Sequence, residues 1–187
     1  KLIKHYTLKQ WQKDPKDLPA SIIKRLPVRM TYDNNYFNDK YQGIPIGGYT
    51  KMFGKMLEGI EVRTGVNYFL DKEYYNSIAD KIVFTGKIDE FFNYQFGELE
   101  YRTLSFVNER LDVDDYQGCA QINYGDENVP YTRITEHKHF EKSDSKVTWI
   151  SKEYSMKYKR GDIPYYPIND EKNNKVYSQY KELSNQY

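Results

Sequence analysis

A single change of hydrophobic period, near Gly59, constrains this fold more than any other feature of the chain. Before it, apolar residues recur at helical spacing, through residues 1–13 and again at Met52, Phe53, Met56 and Leu57. After it they read as strands, in 60–66, 81–85, 99–107, 118–124, 131–140 and 146–154. Helices first and a mostly antiparallel sheet later define an α+β class. The punctuation agrees with that order. Asp14-Pro15 closes the first helix, and Asp17 is placed to cap a second, with Pro19 in its first turn and Ile22, Ile23 and Leu26 on its apolar face. Pro27 ends that helix, because the residue before a proline is pushed out of the α region. Residues 31–45 hold Asp, Asn, Gly and Pro without a period, and a loop of that length is expected to be functional or mobile. Gly47-Gly48 opens a third helix and Gly59 stops it. A short helix over 89–96, stopped by Gly97, interrupts the strands, and Asp170-Glu171 begins a last one.

The 187 residues suffice for one domain or two small ones. Twenty are tyrosine, which suits a cleft or sheet lined by amphipathic rings, although codon bias toward Tyr, Lys, Asn and Ile would give similar counts. A net charge of +1 with interspersed signs supplies no field to draw nucleic acid. The chain has no apolar run long enough to span a membrane and no signal-peptide core. Its single cysteine, Cys119, excludes an internal disulfide, so a cytoplasmic protein is expected. Lys1 leads straight into helical text without a start methionine, which reads as a part excised from a larger protein.

Two distant segments, 24–41 and 129–140, set arginine among aromatics, Asn and Pro. Guanidinium groups grip phosphate oxygens with paired donors, and Tyr or Trp faces stack on bases and sugars. Converging, the two segments would suit a nucleoside diphosphate joined to a sugar. Arg25 and Arg29 are four apart, but Pro27 lies between them and makes them diverge. Taken alone, Arg25 is a cation at a helix C-terminus and Arg29 a solvated charge. Arg102 and Asp89 are expected to hold each other or a helix end. His137 and His139 alternate and would share a strand face, yet no third ligand cluster accompanies them, so no metal is expected. The dinucleotide fingerprint G-x-G-x-x-G, after a strand and opening a helix, is nowhere present.

Four stretches carry a family resemblance. They are Gln10-Trp11 with 18–29, 33–37 and 41–45; 84–92 with 96–106; 120–124 with 129–140; and Ile163-Pro164-Tyr165-Tyr166-Pro167-Ile168-Asn169. Together they resemble the UDP-galactopyranose mutases across almost the whole chain, which corresponds to about the middle half of that family's length. The resemblance implies that Arg25 and Arg133 hold the substrate diphosphate as catalytic groups, with Tyr36 and Tyr166, or Tyr165, on the phosphates. Tyr6 and Thr7 would line the uridine pocket, Trp11 would lie beside the sugar and Asn123 would touch substrate. It further implies a larger FAD-dependent fold in which the N5 of reduced FAD attacks the anomeric carbon and displaces UDP. The sugar then recloses, so that UDP-galactopyranose and UDP-galactofuranose interconvert without net redox change, for cell-wall or lipopolysaccharide O-antigen synthesis. The family's fingerprint and C-terminal stretch are both absent here, so the fragment is expected to hold no FAD tightly and to be inactive alone. The expected parts are a helical segment with a mobile substrate loop (1–45), a helix–strand piece of the FAD-binding domain (46–82), an antiparallel substrate domain (83–170) and a C-terminal helix (171–187). No cofactor-binding residue is assigned, and a homodimer is allowed. Two other readings stay open: a non-catalytic nucleotide-sugar or glycan-binding module, and an amine-oxidase-like flavoenzyme with an aromatic cage in place of paired arginines.

Overall fold

A computed structural model describes residues 4–20, 30–32, 37–141 and 143–186. Its centre is an antiparallel sheet in the order β2-β3-β4-β1-β5, formed by β1 (Tyr101–Leu111), β2 (Gln121–Asn123), β3 (Arg133–Glu136), β4 (Thr148–Lys157) and β5 (Tyr166–Pro167). The described helices are α1 (Lys4–Trp11), α2 (Gly48–Met56), α3 (Lys72–Ser77), α4 (Ile88–Phe91) and α5 (Glu171–Ser184). The α+β class therefore holds.

Register decides which side chains meet. Asn123 pairs with Arg133, Arg133 with Glu153, and Glu153 with Phe106, which makes one row across four strands. Cross-strand partners share a face, so these four residues project together. Two rows along β1 on that face, Arg102 pairs with Lys157 on one side and with Tyr166 on the other.

A second cluster fixes α5 to the start of the sheet. Tyr180 is fully buried, stacks on Phe92 at 6.1 Å and meets Phe96 edge-on at 5.1 Å. Its hydroxyl donates to Gly97 O and accepts from Phe96 N, which satisfies a polar group that burial would otherwise penalise. Asp89, also buried, accepts from the backbone N–H groups of Glu90 and Leu99. Asp170 caps α5 by accepting from Asn173 N, as expected for that position, and is bound by Lys13 at 2.5 Å.

Several expectations are corrected. Residues 60–66 and 81–85 are unpaired coil, with Val62 and Val83 exposed, because alternating apolar text makes a strand only where an edge is available to pair with. The helix α2 opened by Gly47-Gly48 does form, but it buries no residue. The strand expected over 131–140 stops at Glu136, and His137–His139 turns as a 3-10 helix. Residues two apart do not share a face there, so the two histidines diverge. The helix expected over 89–96 ends at Phe91, where Asn93 and Tyr94 take positive φ of 52° and 56°. The Tyr-Tyr-Pro turn contributes Tyr166–Pro167 as an edge strand, where a proline is tolerated. An unforeseen helix, α3, forms because the Asp71 side chain accepts from Tyr74 N. An unforeseen 3-10 turn, Pro15–Asp17, is capped by Asp14 and takes in Asp17. Most of the second expected helix lies outside the described residues.

Candidate functional site

The site begins with how α1 is held on the sheet. Buried Arg102 donates through Nε to Gln10 O (3.3 Å), through Nη1 to Gln12 Oε1 (3.0 Å) and through Nη2 to Ser155 Oγ (3.0 Å). Ser155 Oγ donates to the same Gln10 carbonyl at 2.6 Å. The last carbonyls of a helix lack intrahelical partners and carry its negative end, so a guanidinium there is both a donor and a counter-charge. Burial lowers the Arg102 pKa from its ordinary value. Of the two roles expected for Arg102, the helix end is the one observed; Asp89 binds backbone instead. At the other side of α1, the Lys9 ammonium donates to the carbonyls of Tyr124 (2.7 Å), Asp126 (3.2 Å) and Tyr131 (2.6 Å), which ties the helix to the β2–β3 connection. Burial shifts its pKa downward despite the Asp126 charge.

Held this way, α1 presents Tyr6, Thr7, Gln10 and Trp11 on one face, by the three- and four-residue spacing of a helix. Thr7, Gln10 and Trp11 are buried. The Trp11 ring lies 6.4 Å from that of Tyr166. Arg133 Nε donates to Asn123 Oδ1 at 2.9 Å, while its Nη1 stands 3.7 Å from Glu153 Oε2, past hydrogen-bond length. Glu153 is buried and accepts from Thr132 Oγ1 at 3.0 Å. The Tyr166 hydroxyl is pushed above the usual phenol range, first by burial and then by the Glu153 charge. Arg133 and a hydrogen bond with Gln10 oppose that rise, and Tyr6 adds to it. One phenol thus has Glu153, Arg133, Tyr6 and Gln10 around it.

Six of the nine residues expected from the sequence gather here: Tyr6, Thr7, Trp11, Asn123, Arg133 and Tyr166. Tyr165 stands at the margin, its ring 6.5 Å from Tyr166 and 6.0 Å from Phe106. Arg25 and Tyr36 lie outside the described residues. A cavity of about 490 Å³ opens beside Trp11, bounded by Gln12, Arg102, Lys157 and Ile168. A roomier one of about 740 Å³, between Gly86, β5 and α5, is lined by none of the expected site residues. Glu153, Gln10 and Lys9 were not foreseen. Only register could have found Glu153, because its importance comes from standing across from Arg133.

The histidines serve a different part of the sheet. His139 Nε2 lies 3.3 Å from both Asp115 Oδ1 and Glu136 Oε2, and these three ligand atoms fall within 4.8 Å of one another. Glu136 also accepts from Tyr116 N and Gln117 N, and Asp115 from Gly118 N, so the group clamps the 115–118 loop to the sheet. His137 bonds Ser151 Oγ at 2.6 Å.

The described residues do not build a dinucleotide cradle. Gly47 and Gly48 have the positive φ of a tight turn, but coil rather than a strand precedes them. No helix among the described residues is long and apolar enough to cross a membrane.

Fold and site together define an α+β protein whose sheet carries Arg133 among aromatic rings beside its first helix. The sequence model of one family, "UDP-galactopyranose mutase", matches residues 1–187, and the chain belongs to that family. It is 43% identical over 187 residues to a dTDP-fucopyranose mutase of Escherichia coli, covering 95% of this chain and 48% of that protein. It is 47% identical over 170 residues to a "Probable UDP-galactopyranose mutase" of Klebsiella pneumoniae, covering 88% and 43%. A UDP-galactopyranose mutase of Mycoplasma pneumoniae is 32% identical over 196 residues, covering 96% and 49%. The chain spans about half the length of the curated relatives it matches.

Proposed function

We propose that this chain is the substrate-reading part of an enzyme that interconverts UDP-galactopyranose and UDP-galactofuranose, with Arg133 holding the diphosphate. The observation that carries the reading is the gathering of Arg133, Asn123 and Tyr166 from separate strands on one sheet face, with Trp11 of α1 beside Tyr166. Asn123 fixes the plane of the guanidinium by taking its Nε–H. That leaves the terminal nitrogens to meet phosphate in the paired geometry arginine favours. Glu153 restrains the same group from the other side without bonding it closely. Tyr166, whose pKa is raised, keeps its proton at neutral pH and would donate a hydrogen bond to a phosphate oxygen. Arg25 and Tyr36, from the loop, complete the contact in this reading.

The magnitudes are consistent with binding. Charge-assisted hydrogen bonds contribute roughly 1.5–3 kcal/mol each. Stacking of a base on Tyr6 would add about 1–3 kcal/mol. Micromolar affinity needs about 8 kcal/mol, so two arginines and the stack reach that range only if the loop closes at little cost.

In this reading reduced FAD, when bound, would supply the nucleophile through its N5. Its cradle is not among the described residues, so we assign flavin binding to the remainder of a full-length polypeptide, against which 46–82 would pack. This chain alone would then neither retain flavin nor turn over substrate. Cys119, free and exposed, suits a reducing cytoplasm. A dTDP-sugar substrate is the second reading, favoured by the name of the 43%-identical relative.

In the full-length protein, Arg133→Ala should lower turnover by about 10²–10³, the loss typical of removing one charge-stabilising donor, while flavin absorbance is kept. Near-normal turnover in that variant would remove Arg133 from the mechanism.

A further inference from the structure

Away from the aromatic site, the fold unites three side chains of metal-ligating type that the sequence keeps apart. Asp115 comes from the β1–β2 connection, Glu136 from the end of β3 and His139 from the 3-10 turn that follows. The His139 Nε2 to Asp115 Oδ1 and His139 Nε2 to Glu136 Oε2 separations are both 3.3 Å. Ligand atoms held about 2.0–2.1 Å from a tetrahedral zinc stand roughly 3.3 Å from one another. Two edges of the triangle therefore already have coordination length. The third is within 4.8 Å and closes by rotation of the half-exposed Asp115 side chain. Backbone N–H groups of Tyr116 and Gln117 hold the Glu136 carboxylate, and that of Gly118 holds Asp115, as outer contacts that orient ligands.

Two further observations point to a cation. The nearby ammonium groups of Lys138 and Lys146 are both taken by Asp114. Among the described residues, neither Asp115 nor Glu136 pairs with a lysine or arginine; each has only His139. Two carboxylates, one of them fully buried, thus share one imidazole, and even a protonated ring leaves the group a positive charge short. The second observation is Thr148, 1% exposed, whose Oγ1 is a buried polar atom without a hydrogen-bond partner. Glu136 opposes Ile150, and Thr148 lies two residues along β4 from Ile150, so its side chain is the diagonal neighbour of Glu136 on the same face. A water in the fourth position of a metal held by the three ligands would give that hydroxyl its partner.

We infer that Asp115, Glu136 and His139 bind one zinc ion, which pins the 115–118 loop to the sheet just before β2. The site is structural, and it is independent of the nucleotide-sugar reading above. One imidazole among two carboxylates favours a borderline metal over magnesium or calcium, which prefer oxygen ligands alone. The test is a zinc titration of the chelator-stripped chain by calorimetry, with cobalt as a spectroscopic probe of the same site. One zinc should bind per chain, and cobalt should show the intense visible bands of a tetrahedral ion. His139→Ala should weaken zinc by more than about a hundredfold, beyond what loss of an outer contact costs. Asp115→Asn, which keeps the shape of the side chain and an acceptor for Gly118 N, should weaken it at least about tenfold, with unchanged circular dichroism. Cys119→Ser should bind zinc as the unaltered chain does. Failure of that chain to bind zinc, affinity unchanged in His139→Ala or Asp115→Asn, binding lost in Cys119→Ser, or displacement of zinc by a modest excess of magnesium would each overturn the inference.

Discussion

Glu136 shows how single side chains shape this molecule. Its carboxylate is fully buried, a position that by itself raises its pKa. Hydrogen bonds from Tyr116 N and Gln117 N, with the Thr148 hydroxyl close by, outweigh that and hold the pKa below the usual glutamate value. The depressed folded value means that the unfolded chain takes up the proton first as pH falls. The contribution of Glu136 is therefore complete above the unfolded value of about 4.3 and is lost as pH drops from there through the folded value. Glu136→Gln should destabilise by about 1–3 kcal/mol at neutral pH, and that difference from the unaltered chain should shrink below about pH 4. Urea denaturation of both proteins between pH 6 and 3 checks it, and a difference that stays constant across that range would contradict the assignment. Residue roles were unevenly legible. The capping role of Asp170 follows from residue type beside a helix terminus, whereas the helix end that Arg102 holds lies 92 residues away and its identity was not legible. The value of Glu153 and Gln10 depends on which strand and which face they oppose, which local text does not carry.

At the scale of elements, two apolar segments stand out by failing to pair. Residues 60–66 and 81–85 carry strand-like text, and Ile60, Val62, Val66, Ile82 and Val83 are all exposed. Helix α2 beside them leaves Tyr49, Phe53 and Met56 exposed and buries nothing. By contrast β1 and β4 pair over ten residues, because each finds an antiparallel neighbour within the chain. The text is equally strand-like in both cases, and the difference is the presence of an edge. If 46–82 packs on a flavin-binding half of a longer polypeptide, these backbone amides should be paired there. Hydrogen exchange of the full-length protein should then show 60–66 and 81–85 protected by at least about a hundredfold more than in the present chain, since paired strands open only through costly local unfolding. Equal exchange in both proteins would show that the two segments stay unpaired in the longer protein as well.

For the whole molecule, helices before sheet was legible, but the change falls at Tyr101 and not at Gly59, since two short helices and unpaired coil lie between them. The candidate site was legible only as a set of residues. Tyr6, Trp11, Asn123, Arg133 and Tyr166 span most of the chain's length, and what unites them is a sheet order, β2-β3-β4-β1-β5, that no local pattern specifies. Two long-range clamps, Arg102 on the end of α1 and Lys9 on the β2–β3 carbonyls, then set the helix over the sheet. In the proposed function that assembly binds a nucleoside diphosphate. The most direct measurement is a UDP titration followed by Trp11 emission, in the chain with Trp149→Phe so that one tryptophan reports. Saturable quenching that Arg133→Ala abolishes is the predicted result; emission indifferent to UDP, or quenching undiminished without the Arg133 side chain, would contradict it.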